Sequence, residues 1–215
     1  MTCYLRLHEV AVAITADPAT ATDWDAVIRG WQGADGVDGR DAALDAMPVS
    51  LIEMDDLPTA DLDDYAGLVL SGRSDQQLLG AMAGRIMGLL DRGGVVVFSG
   101  QLTHRWLPSA TPFERCAPGP AVGPPELTDH PVFAGIEPAD LGASFLYRDG
   151  YHRPPEGAEV IARRADGVPG AYVARVGPGA VLLHGGANLL ANGTSTGSAT
   201  RIVPQLVEWI AGGPR

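Results

Sequence analysis

The chain has 215 residues and no lysine; its 15 basic side chains are all arginines, set against 26 carboxylates for a formal net charge of −11. Without lysine there is no Schiff-base chemistry and no phosphate loop of the kind that needs one. The acidic balance excludes nucleic acid as an expected partner, because phosphate recognition depends on clustered positive charge. Hydrophobic residues make up 46%, enough for one sizeable core, and a single domain over 1–215 is expected.

Cys3 and Cys116 lie far apart with no CxxC pair, which fits neither a disulfide framework nor a zinc site. The apolar run Val10–Ile14 is too short to span a membrane, and His8-Glu9 interrupts any signal-peptide core. A soluble, cytoplasmic chain without a membrane partner is the expectation.

In chain order, Val10–Ile14 reads as a strand buried on both faces. Thr22 reads as the cap of a helix whose Trp24, Val27, Ile28 and Trp31 share one face; residues 33–41 form a loop. Val49–Ile52 is a second strand and Leu68–Leu70 a third, closing on Ser71-Gly72. A long helix follows, with Ser74 and Gln77 as a capping box, an apolar stripe through Leu78, Met82, Ile86 and Leu90, and Gly93-Gly94 as the stop. Val95–Phe98 is the fourth strand and ends at Ser99-Gly100. Apolar strands joined by crossover helices imply a parallel sheet with helices on both faces.

Residues 101–125 hold six prolines, so regular structure should be scarce there, and so long a loop suits a lid over a pocket or a docking element. Beyond it, Ser144–Arg148, Glu159–Arg163, Ala171–Val176 and Val181–His184 read as a small antiparallel β extension with turns at Asp166-Gly167 and Pro178-Gly179. A last helical stripe runs through Ile202, Val203, Leu206, Val207 and Ile210, with Pro204 in its first turn and Gly212-Gly213 after it.

This order of elements resembles the class I glutamine-amidotransferase-like superfamily, a flavodoxin-like three-layer α/β sandwich with a mainly parallel central sheet. Within it the chain is most similar to the trehalose-utilisation-type branch. The resemblance covers residues 10–211 and rests on 65–72 (YAGLVLSG), the long helix, 93–100 (GGVVVFSG), 129–136 (DHPVFAGI) and 177–185 (GPGAVLLHG). Amidotransferases of this fold carry a Gly-x-Cys-x-Gly elbow after the strand matched by 95–98, and a His-x-Glu ending a later strand. Here Ser99 stands at the cysteine position between Phe98 and Gly100-Gln101, and His184-Gly185-Gly186 lacks the glutamate. The resemblance therefore implies the fold without glutamine hydrolysis. It also places Gly72 and Arg73 on the stretch whose backbone N–H groups form an oxyanion hole.

Open parallel sheets bind ligands at the carboxyl ends of their strands. That rule picks out Ser71, Gly72, Arg73, Gly100 and Gln101 as ligand-binding candidates, with His104, Arg105 and His152 as residues that would overhang them. Ser99 and His184 are the candidate nucleophile and base of a serine-type hydrolase, which would also need an acid behind the imidazole; Glu208 is a poorly placed candidate. His104, His152 and His184 have no ligand spacing, so no metal is expected; no glycine run has dinucleotide spacing, so no cofactor is either. His130 reads as structural, Trp106 as core, and Asp55, Asp56, Asp61, Asp63 and Asp64 as a solvated loop. Three functions stay open: a binder of a small polar ligand, sugar-related if the branch is a guide, or a component of a larger assembly; a Ser99/His184 hydrolase; and a structural interaction module, with a homo-oligomer possible.

Overall fold

A computed structural model describes residues 9–14, 49–117, 123–142, 145–194 and 197–214. The expected helix at 22–31, the loop at 33–41 and Cys3 lie outside the described residues. Within them, the apolar runs become strands, the central ones buried on both faces. They are β1 (Glu9–Ile14), β2 (Val49–Glu53), β3 (Tyr65–Ser71) and β4 (Val95–Ser99). Short strands β5 (Phe113–Arg115), β6 (Glu126–Leu127) and β7 (Gly150–His152) precede β8 (Glu159–Arg163), β9 (Pro169–Val176) and β10 (Gly179–His184).

Eight of these strands form one sheet in the order β2-β1-β3-β4-β10-β9-β8-β6. Its first five strands are parallel, and β9, β8 and β6 extend it antiparallel. Strands β5 and β7 pair separately as a two-stranded antiparallel sheet. The fold is thus α/β, as expected from the sequence, on a large mixed sheet of mostly parallel strands, with few helices among the described residues.

Strand period explains the layers. Side chains alternate between faces, so Val69, Val95, Val97, Ala180 and Leu182 face one side, where Ile202, Val203, Leu206, Val207 and Ile210 of the C-terminal helix cover them. Leu68, Leu70, Val96, Phe98, Val181 and Leu183 face the other, under Leu79, Met82, Ile86, Leu89 and Leu90.

The long helix differs from its expected form in two ways. It breaks at Met82 into α1 (Gln76–Ala81) and α2 (Ala83–Asp91). Gly80 and Gly84 flank the break, and glycine is the weakest helix former after proline. Its cap is Asp75 rather than Ser74: the Asp75 carboxylate accepts from the backbone N–H of Gln77 and Leu78 at 2.9 and 3.1 Å, whereas Ser74 is buried with an unpartnered hydroxyl. A carboxylate one residue later reaches the same orphan N–H groups and adds favourable charge at the helix start. The last helix, α3 (Ile202–Ala211), has Pro204 in its first turn as expected.

Two loop expectations are also corrected. The strand expected at Ser144–Arg148 is not formed at 145–148, which is irregular (Ser144 lies outside the described residues); a strand forms slightly later as β7, because its partner Phe113–Arg115 offers backbone groups there. Segment 101–117 is no free lid. Trp106 and Leu107 are buried, Trp106 edge-on to Phe98 at 5.5 Å, and β5 lies inside the segment. Of the acidic loop, Asp61 caps a short turn and Asp63 pairs with Arg92 at 2.7 Å.

Candidate functional site

Three neighbouring parallel strands end in step. Ser71 is in register with Ser99, and Ser99 with His184, so the three stand in one row across β3, β4 and β10. Each follows by two residues a member of the same core face (Val69, Val97, Leu182), and all three side chains therefore project towards the α3 side. Beyond the row, the turns after β3 and β4 meet. A Cβ on Gly100 would lie 2.3 Å from the Gly72 Cα, and Gly100 has φ +139°, so this crossing of two backbones accepts only glycine. The Gly100 N–H donates to the His184 carbonyl at 2.9 Å, carrying the ladder one residue past the strand.

A cavity of about 880 Å³ opens on this rim, and Ser71, Gly72, Arg73, Ser99, Gln101 and His104 line it. Six sequence-picked residues thus share one concavity. The rest do not line it. Arg105 is exposed on the segment beyond. Gly100 is the crossing point behind the wall. His152 is buried, with Nδ1 2.7 Å from the Thr111 carbonyl and Nε2 3.0 Å from the Gly100 carbonyl. It braces the rim turn against the 101–117 segment. Burial holds its pKa below the ordinary imidazole value, and the two carbonyl contacts offset part of that.

His184 is fully buried, its ring tilted against Phe145 at 5.0 Å; the backbone of Phe145 and Ala187 lies near it, but neither ring nitrogen makes a well-aligned hydrogen bond among the described residues. Burial pushes its pKa down to about 4; the backbone of Phe145 and Ala187 offsets part of this, and His152 adds to it. Ser99 Oγ accepts from the Leu189 N–H at 3.1 Å, and no hydrogen bond joins it to His184. Glu208 stands elsewhere, with Asp129, His130 and Trp209 around a second cavity of about 440 Å³. Gly186, two residues past His184, has no room for any side chain: a Cβ there would lie 1.7 Å from the Phe145 carbonyl oxygen. A glutamate at that position cannot be fitted to this backbone. His130 is structural, accepting from the Val132 N–H at 3.3 Å and stacking edge-on to Trp209.

Sequence reading missed part of the lining: Ser74, Asp75, Gln76, Gln77, Thr103, Tyr147, Ala187, Asn188 and Ala191. Extending the strand-end rule four residues beyond His184 would have reached Ala187 and Asn188. Nothing local marks Tyr147, whose hydroxyl burial raises above its ordinary pKa. Gln76 holds the far wall. Its Nε2 donates to the Gln101 carbonyl at 2.9 Å, and its Oε1 accepts from the N–H groups of Thr103 and His104 at 2.8 and 3.2 Å. Gln76→Ala leaves those three backbone groups without their partner and is expected to cost about 2–3 kcal/mol. Urea unfolding should show that loss, and hydrogen exchange should quicken at the Thr103 and His104 amides; a cost under about 0.5 kcal/mol would mean the wall stands without the clamp.

No helix among the described residues is long and apolar enough to cross a membrane. No family model and no curated protein matches the chain. Solved structures do. A cytoplasmic protein from Salmonella typhimurium superposes with a TM-score of 0.60 at 9% identity, covering 93% of this chain and 98% of that one. A candidate GMP synthase subunit from Thermoplasma acidophilum gives 0.58 at 13% identity, over 97% and 96%. An exo-β-1,4-mannosidase from an Opitutaceae bacterium gives 0.50 at 13% identity over 85% of this chain, which spans only 31% of that enzyme. At such identities the likeness shows the architecture alone, an α/β fold built on a large, mostly parallel sheet.

Proposed function

We propose that the chain is an amidotransferase-like domain that has left glutaminase chemistry and binds a small polar molecule, sugar-related if the trehalose-utilisation-type branch is a guide, in the cavity at the ends of β3, β4 and β10. The supporting observation is the in-step row of Ser71 and Ser99 opening on a cavity of about 880 Å³ whose lining residues are mostly of polar type. This volume lies in the range of small-molecule sites. Ser99 at the nucleophile position and the space-filled Gly186 argue against the Cys-His-Glu mechanism. We assign no cofactor and no metal.

Two other readings have one observation each. Register brings Ser99 and His184 to one face, which favours a serine-type hydrolase; among the described residues no hydrogen bond joins the two and no acid acts on His184, which weighs against it. The likeness to a GMP synthase subunit favours a role within an assembly, as a homo-oligomer or beside another protein.

Ala191 is exposed and lines the cavity, so Ala191→Trp should crowd it without disturbing the core. Thermal shift over a panel of sugars and small carboxylates should find a compound that stabilises the wild type, by about 2.7 kcal/mol at a hundred times Kd, and does nothing to Ala191→Trp. Labelling by a fluorophosphonate that disappears in Ser99→Ala would instead establish the hydrolase. A stoichiometric partner, with no panel compound bound, would establish the assembly role.

A further inference from the structure

The second cavity, of about 440 Å³, shares no lining residue with the rim cavity. It lies towards the other end of the sheet: Arg175 in its wall pairs with Ala180 near the start of β10, whereas His184 ends that strand. Its volume lies within the small-molecule range.

Its acceptors come from separate elements. Asp129 precedes the turn Pro131–Phe133, Glu159 opens β8 and Glu208 lies on α3; all three are exposed. Among the described residues none of these carboxylates is hydrogen-bonded or paired with an arginine. Gln205 adds a fourth acceptor. Its Nε2 donates to the Ala134 carbonyl at 2.7 Å, while its Oε1 is buried with no donor. A buried acceptor left unmet is costly, and a ligand N–H entering beside α3 would relieve it. Trp209 contributes an indole held edge-on to His130 at 5.2 Å, and the end of α3 adds the partial negative charge of a helix C-terminus.

Positive charge is scarcer. Arg175 is the one lining guanidinium, and it donates to the Pro214 carbonyl at 2.7 Å. His130 Nδ1 accepts from the Val132 N–H, so the neutral ring carries its proton on Nε2. Burial outweighs the pull of Glu159 and holds that ring below the ordinary imidazole pKa, leaving it uncharged at neutral pH. Three carboxylates thus stand against one guanidinium.

The acids are also dispersed. Among the described residues no three His, Cys, Asp or Glu side chains converge closely enough to hold a metal ion. Spaced carboxylates, an orphan amide oxygen and an indole match a longer cation, with N–H donors at both ends and methylenes between them. Val173 and Trp209 offer apolar surface for those methylenes.

We propose that this cavity binds a small aliphatic polyamine: one ammonium meets the exposed carboxylates, and another N–H donates to Gln205 Oε1 beside the Trp209 ring.

Calorimetric titration of the full chain with putrescine, spermidine and the neutral match 1,4-butanediol tests this. At least one polyamine should bind tenfold or more tightly than the diol. Glu159→Gln combined with Glu208→Gln should weaken it tenfold or more. Asp55→Asn combined with Asp56→Asn removes as much charge from an exposed loop outside the cavity, and should change affinity less than twofold. In an NMR titration the Trp209 indole N–H and the Gln205 side-chain amide should shift with the same affinity. Equal losses in the two double variants would make the polyamine a mere counter-ion of an acidic surface and overturn the site. So would a diol that binds as well as the polyamines, no binding by either polyamine, or binding that leaves both NMR signals in place. None of these outcomes bears on the rim cavity.

Discussion

Gly100→Ala is expected to lower stability by about 3–5 kcal/mol and to destroy the rim cavity. Two costs add. A φ of +139° is a conformation that an L side chain resists, and the new methyl would lie 2.3 Å from the Gly72 Cα and 2.8 Å from its nitrogen. Those are backbone atoms, so no side chain can swing away to make room. The turn after β4 or the turn after β3 must shift, and with it the Ser71–Ser99 row and the His184 carbonyl that receives the Gly100 N–H. Gly157→Ala supplies the control: φ is +78° there, yet nothing lies within 4 Å of the added Cβ. Alanine at 157 should cost about 1 kcal/mol, the conformational part alone. Urea unfolding of both variants separates the two costs. Equal losses would mean that the crossing of the two turns is loose and cannot fix the site.

That crossing also explains which parts of the molecule were legible in its sequence. Strands β3 and β4 are uninterrupted apolar runs that end in small or polar residues, so their place in a parallel sheet and their common edge followed from burial on both faces, and Ser71 and Ser99 were found for that reason. Val181–His184 was expected in the antiparallel extension and instead pairs parallel with β4, which is what brings His184 into the row. Legibility failed where a distant partner decides the local structure. Residues 150–152 become a strand because 113–115 pair with them. The proline-rich 101–117 segment is a fixed wall because Gln76, His152 and the Phe98–Trp106 contact hold it. Gln76 and His152 are both far from the segment in sequence. The cap at Asp75 was missed for another reason: Ser74 and Asp75 are both good caps, and their order along the chain does not say which side chain points at the helix.

The same distinction applies to His184. Its place at a strand end was legible, whereas its burial depends on Phe145 and Gly186 closing over it. Burial with unpartnered nitrogens makes it a liability in acid. The imidazole titrates near 6.5 when the chain is unfolded and near 4 when folded, with burial as the main cause. Between those values the unfolded chain takes up a proton that the folded one refuses. The stability His184 contributes is thus complete above pH 6.5 and lost as pH falls towards 4, about 3 kcal/mol in all. His130 and His152 are lowered by burial as well and add a slope of the same sign. His184→Leu keeps a similar volume and removes the titrating group. It should be at least as stable as wild type at pH 7, since no buried nitrogen is left without a partner, and should lose about 3 kcal/mol less on going to pH 4. Urea unfolding at pH 7, 5.5 and 4.5 measures this directly. Parallel stability profiles for the two proteins would show that the imidazole finds a partner in solution, and a strong loss at pH 7 would show that a hydrogen bond to His184 holds the rim together.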